Sequence, residues 1–302
     1  MRRIRKFIYV FFAFVIVLPV FASVVCADDQ TATAPAAPAA AAAPAPPAPP
    51  AVTGSAAMSV LSHYIFRGYE LSKGSMVFQP SLTLNYMGFS ANLWSNMDTS
   101  ERATQNFTPV TTSRGHNNFD ETDLTLSYTY NIDKLALTGG FIYYGTQYAP
   151  ETQELFISGA YDMIAHPTLA IYRDICHYSG TYLNLSFSQS FPVTKMENGD
   201  VTLDLGASFG YEAGSSNYWD TYVANQGYSG STYSAFHDGM VKAGFTVPLT
   251  KMFSVQPVVQ YWFPLSSDAE KTVTDATGTH SYNPNGRLAD NFVGGVNLTF
   301  SF

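Results

Sequence analysis

From about Ala56 to the C-terminus, apolar and polar residues alternate in short segments separated by turns. Phe78, Pro80, Leu82, Leu84 and Tyr86 share one parity, while Gln79, Ser81, Thr83 and Asn85 share the other. Val201, Leu203, Leu205, Ala207 and Phe209 likewise oppose Thr202, Asp204, Gly206 and Ser208. The last seven residues, Val296 to Phe302, alternate without a break. A period of two is that of a strand with two unlike faces. The pattern predicts twelve strands, near 57–68, 77–86, 89–97, 120–131, 134–144, 152–162, 167–174, 180–191, 200–211, 232–247, 252–263 and 289–302. The chain reads as all-β.

The connections sort by parity. Those after even strands are short: Met87-Gly88, Ile132-Asp133, Asp162 to His166, Pro192 to Asp200, and Pro248 to Lys251. Those after odd strands include long ones near 98–119, 212–231 and 264–288. Transmembrane barrels pair an even strand count with short turns at one end and long loops at the other. The expectation is a closed antiparallel transmembrane β-barrel over residues 55–302, with both termini in the periplasm. Its outward face would be rich in Leu, Val, Phe and Tyr, and its lumen in Ser, Thr, Asn, Gln and Gly. A soluble barrel would point the apolar face inward, and alternation alone cannot distinguish the two. The end of the chain helps to decide. Phe302, with Phe300 and Leu298 on the same face, resembles the C-terminal signal read by the barrel-assembly machinery. Outer-membrane lipid and lipopolysaccharide would then be the surroundings.

The N-terminus points the same way. Arg2, Arg3, Arg5 and Lys6 precede the apolar stretch Phe7 to Val25, and Val25-Cys26-Ala27 offers a cleavage site before Asp28-Asp29. Residues 1–27 read as a signal peptide. An uncleaved anchor and a lipidated Cys26 are the alternatives. Thr31 to Pro50 is almost wholly Ala and Pro. Such a sequence favours polyproline II and reaches roughly 60 Å when fully extended. Residues 28–54 are expected to form a flexible periplasmic arm, either a plain spacer or a contact to the cell wall.

Loss of residues 1–27 removes four of the 15 basic residues and leaves 11 against 23 acidic ones, a net charge of about −12. That excludes the basic face nucleic-acid binding requires. It also removes Cys26, leaving Cys176 without a disulfide partner.

Several motifs carry a family resemblance. Ser62-His63-Tyr64-Ile65-Phe66-Arg67-Gly68, Gly88 through Asp98, Glu121-Thr122-Asp123-Leu124 and Gly180-Thr181-Tyr182-Leu183 resemble segments of the TorF-type porin family of exported bacterial barrels. His63 stands where that family usually has Asp. The resemblance implies a barrel and a pore, and it brings no catalytic residues.

Alternation places His63 and Arg67 on the lumen side of the first strand. Glu121, Asp123, Glu154, Asp204 and Asp238 join them, with Lys242 near. Charges on a lumen wall tune ion selectivity, and an excess of carboxylates favours cations. The same groups could instead pair across the barrel as a plug of salt bridges. No metal or cofactor is expected, because the six histidines lack ligand spacing and neither a haem motif nor a phosphate loop occurs. Enzymatic barrels need a Ser nucleophile beside a His base. Ser95-Asn96 is the nearest match, but Leu93 stands where the base would be, so no enzyme is expected. The reading is a passive channel for small hydrophilic solutes or ions, leaning toward cations. Its rival is a structural or adhesive barrel that tethers the envelope through the arm or binds ligands through its loops.

Overall fold

A computed structural model describes residues 50–72, 74–100, 118–225 and 227–302. The expected signal peptide, nearly all of the arm, and the middle of the loop near 98–119, with His116, lie outside them. In chain order the strands are β1 (Thr53–Leu61), β2 (Ile65–Phe66), β3 (Tyr69–Glu70), β4 (Val77–Tyr86), β5 (Phe89–Asp98) and β6 (Asn118–Ile132). There follow β7 (Leu135–Thr146), β8 (Thr152–Tyr161), β9 (Thr168–Asp174), β10 (Gly180–Met196), β11 (Gly199–Gly214) and β12 (Asp220–Val223). The chain ends with β13 (Gly227–Thr232), β14 (Ser234–Pro248), β15 (Phe253–Pro264), β16 (Thr272–Asp275), β17 (Gly278–Ser281) and β18 (Asn291–Ser301). A short helix, α1 (Ser267–Glu270), precedes β16.

Twelve strands, β1, β4 to β11, β14, β15 and β18, close into one antiparallel barrel. The seam runs from Ser55 opposite Ser301 to Leu61 opposite Gly295. Gly54 and Phe302 exchange both backbone hydrogen bonds there, at 2.8 and 2.9 Å. The final phenylalanine thus completes the closure, which leaves no free edge. The pairs β2–β3, β12–β13 and β16–β17 are small hairpins within the long connections.

Tight turns follow from local chemistry. Met87 and Gly88 both have positive φ, 51° and 88°, as a two-residue hairpin turn requires. The β10–β11 connection is tighter than the expected Pro192 to Asp200, because β10 continues to Met196 and β11 begins at Gly199. Pro192 does not end the strand because the register shifts between Pro192 and Thr194, and a bulge tolerates proline.

The outward face carries exposed Leu82, Leu84, Leu126, Ile157, Leu169, Leu205, Val241 and Val259. A water-soluble surface does not present so continuous an apolar band. Exposed aromatics border it at both ends: Tyr86, Phe89, Tyr130, Tyr161, Phe191 and Phe300 by the short turns, and Phe119, Phe236 and Phe292 by the long loops. These are the two girdles of a barrel set in lipid.

The first strand also departs from its expected bounds. The first barrel strand begins at Thr53 and stops at Leu61 rather than running to 68. Ser62 still donates to the Gly294 carbonyl at 2.9 Å. Beyond it the chain leaves the wall, so His63 and Arg67 do not lie on the first strand.

Candidate functional site

Ile65 to Glu70 form a miniature hairpin, with Ile65 opposite Glu70 and Phe66 opposite Tyr69. Arg67 and Gly68 make its two-residue turn, both with positive φ, 48° and 79°. Glycine is required at the second position. A Cβ there would come within 2.8 Å of both Asp238 Cβ and Leu288 Cδ1. The hairpin is buried under an apolar cluster of Tyr64, Tyr69, Leu71, Val77, Tyr148, Ala269 and Leu288. Such a cluster inside a polar-walled barrel is a core in miniature, and it holds the hairpin by apolar burial. The long loops stack above it. The Leu288 amide donates to the Ala269 carbonyl at 2.9 Å, and the Tyr222 amide to Tyr282 at 2.7 Å.

The turn presents Arg67 to the opposite wall. Its guanidinium donates to both carboxylate oxygens of Glu154 on β8, at 2.8 and 2.7 Å. Tyr144 donates to the same carboxylate at 2.9 Å. Aromatic rings surround the guanidinium, with its carbon 4.3 Å from the centroid of Tyr182, 5.0 Å from Tyr172 and 4.9 Å from Phe66. A forked ion pair stacked between rings suits arginine and not lysine.

Further carboxylates gather at this level. Tyr148 donates to Glu121, and Tyr182 donates to Asp238 at 2.9 Å. One oxygen of Asp123 is buried with no hydrogen-bond partner. A bulge brings in Asp238: Phe209 faces Gly239 and Tyr211 faces Phe236, leaving His237 and Asp238 opposite Gly210. Both side chains are fully buried as a result. Between the hairpin and the loops lies a cavity of about 100 Å³, lined by Arg67, Glu121, Glu154, Glu212, Tyr178 and Trp219 among others.

Below the hairpin, toward the short turns, the lumen is different. Asp204 accepts hydrogen bonds from Ser190, Thr202 and Gln256 at 2.6, 3.0 and 2.9 Å. Gln256 in turn accepts from Asn297 at 2.8 Å. Ser188, Ser190 and Lys242 are exposed. Among the described residues Lys242 forms no ion pair, so salt bridges do not plug this part of the lumen.

The residues expected on the lumen wall therefore divide into two groups. Arg67, Glu154, Glu121, Asp123 and Asp238 come together around the hairpin. Asp204 and Lys242 lie apart from them on the lower wall. His63 sits at the foot of the hairpin, its Nε2 3.9 Å from Glu70. Reading by alternation missed Glu212, His237 and the inward tyrosines Tyr144, Tyr172 and Tyr182. Ser95 meets the Thr122 hydroxyl at 3.0 Å. Leu298, Phe300 and Phe302 lie along the closing seam.

No family model and no curated protein matches the chain. Solved structures similar to it include the NanC porin, which aligns over 83% of this chain and 100% of its own at 8% identity, with a TM-score of 0.45. An outer membrane channel from Pseudomonas putida F1 aligns over 85% of this chain and 97% of its own, at 7% identity and a TM-score of 0.40. OmpF from Salmonella typhi, in complex with daunomycin, aligns over 84% and 97% at 9% identity, with a TM-score of 0.34.

Proposed function

We propose that this protein is a non-enzymatic outer-membrane channel for passive diffusion of small hydrophilic solutes or ions, leaning toward cations, and narrowed at its long-loop mouth by the β2–β3 hairpin. One observation carries the reading. The apolar fill stops at the hairpin, and below it the wall is polar, with Ser188, Ser190 and Lys242 exposed. A purely structural barrel has no need of such a lumen. The excess of carboxylates over Arg67 and Lys242 supports a cation preference. The motif resemblance to the TorF-type porin family supports a pore, and Phe302 at the seam supports assembly by the barrel-assembly machinery with both termini in the periplasm.

The test is conductance. The folded protein in a planar bilayer should give discrete current steps with a reversal potential shifted toward cations. A silent bilayer with demonstrably folded protein would overturn the reading. The layered packing of the loops over the hairpin favours one rival, a barrel that binds or tethers through its loops or its Ala/Pro arm. Deleting residues 28–54 should then release the protein from cell-wall preparations and leave conductance unchanged.

A further inference from the structure

We propose that the cavity at the long-loop mouth is a binding site for a small organic cation, such as a trimethylammonium or guanidinium head group. Three observations converge on this chemistry. The first is charge. Among the described residues, four carboxylates, Glu121, Glu154, Asp174 and Glu212, line the cavity against the single guanidinium of Arg67. Both amino groups of that guanidinium are already committed to Glu154.

The second is Glu212 itself. It is 3% exposed, and it lines the cavity. Among the described residues no side chain donates to its carboxylate and no cation lies within 4 Å; the backbone amide of Ala213 meets it. Glu121 and Asp174 differ, since Tyr148 and Thr152 donate to them. A carboxylate this enclosed, met by one backbone amide and outside ion-pair distance of Arg67, carries a desolvation cost that a bound cation relieves.

The third is the lining. Trp219 and Glu212 flank one point: a Cβ built on Gly180 would lie 2.7 Å from the indole Nε1 and 3.1 Å from Glu212 Oε1. Tyr178 is tied to the same indole, which donates to its carbonyl at 2.9 Å. Tyr178 and Trp219 both line the cavity, and aromatic rings beside a carboxylate suit organic cations such as quaternary ammonium groups. The volume, about 100 Å³, is below the roughly 150 Å³ of a dry cavity that holds benzene. A head group of about four heavy atoms, a guanidinium or the nitrogen and three methyls of a trimethylammonium, fits, with the rest of the molecule extending toward the mouth.

Choline and its neutral isostere 3,3-dimethyl-1-butanol, titrated calorimetrically into the full-length folded protein in detergent, test this. Choline should bind saturably and the isostere at least about tenfold more weakly, a difference of about 1.4 kcal/mol. Glu212→Gln should weaken choline by about tenfold, and Asp204→Asn, on the lower wall, should not. Should Glu212→Gln fail to fold, Tyr178→Leu decides in its place and should weaken choline in the same direction. No saturable choline binding, equal binding of the isostere, or an unchanged affinity in the folded variants would overturn the proposal. The inference does not rest on conduction: a silent bilayer leaves the titration untouched, and a flat titration leaves the conductance reading untouched.

Discussion

Arg67 and Glu154 stand 87 residues apart in the chain and meet inside the barrel through two hydrogen bonds of 2.8 and 2.7 Å. The pair joins an inner hairpin to the barrel wall, with side chains only 15% and 6% exposed. Removing one partner of such a pair leaves a buried charge and costs about 3–5 kcal/mol. Arg67→Ala should therefore loosen the hairpin, lower the melting temperature and raise single-channel conductance. Adding Glu154→Gln should restore part of the stability while the conductance stays high. Losses in melting temperature that simply add, with unchanged conductance, would show that the pair does not hold the hairpin.

The hairpin turn offers a second handle. Gly68 has φ of 79° and no space for a methyl group, whereas Gly227, with φ of 71°, has nothing within 4 Å of its built Cβ. Both substitutions to alanine pay the left-handed backbone penalty of about 1–2 kcal/mol, but only Gly68→Ala also collides with Asp238 and Leu288. Hydrogen exchange across residues 62–76 should accelerate clearly in Gly68→Ala and stay near wild type in Gly227→Ala. Equal protection in the two variants would mean that the hairpin is not packed as described.

The barrel was legible because period-two alternation and loop parity are both written in the sequence. β4 matches its predicted bounds at 77–86. The inner hairpin was hidden. Tyr64-Ile65-Phe66 is a run of strand-favouring residues that reads on directly from the first strand, and only Arg67-Gly68, a turn signal set just after it, marks the departure from the wall. Glu212 was lost by ending its strand at Tyr211. β11 runs to Gly214, so carrying the even parity of Asp204 and Gly210 two residues further would have placed Glu212 inward. His237 was not recoverable. Alternation puts neighbours on opposite faces, and a bulge turns His237 and Asp238 to the same side. The inward tyrosines were masked by the expectation that aromatics face lipid. Burial of Tyr182 beside Arg67 follows from a tertiary partner 115 positions away in sequence, which no local pattern records.

The lower wall sets a different prediction. Asp204 collects hydrogen bonds from Ser190, Thr202, Thr246 and Gln256, so its charge is fixed in position on the lower lumen wall, beside the path the proposed channel would use. Asp204→Asn should shift the reversal potential toward anions, and Lys242→Gln should shift it toward cations. Both shifts should shrink between 0.1 and 1 M salt, as the Debye length falls from about 10 to about 3 Å. A reversal potential indifferent to both changes would place the selectivity elsewhere.

Orientation can be read from one thiol. Cys176 is free and exposed, and it lies in the connection between β9 and β10, at the same end of the barrel as the long loops. If both termini are periplasmic, that end faces the outside of the cell. A membrane-impermeant maleimide added to intact cells should label Cys176, and Cys176→Ser should abolish the signal. Cleavage after Ala27 would remove Cys26, so the labelled mature protein should carry a single adduct. Labelling that appears only after the outer membrane is permeabilised would invert the barrel and place the Arg67 hairpin and its cavity at the periplasmic mouth.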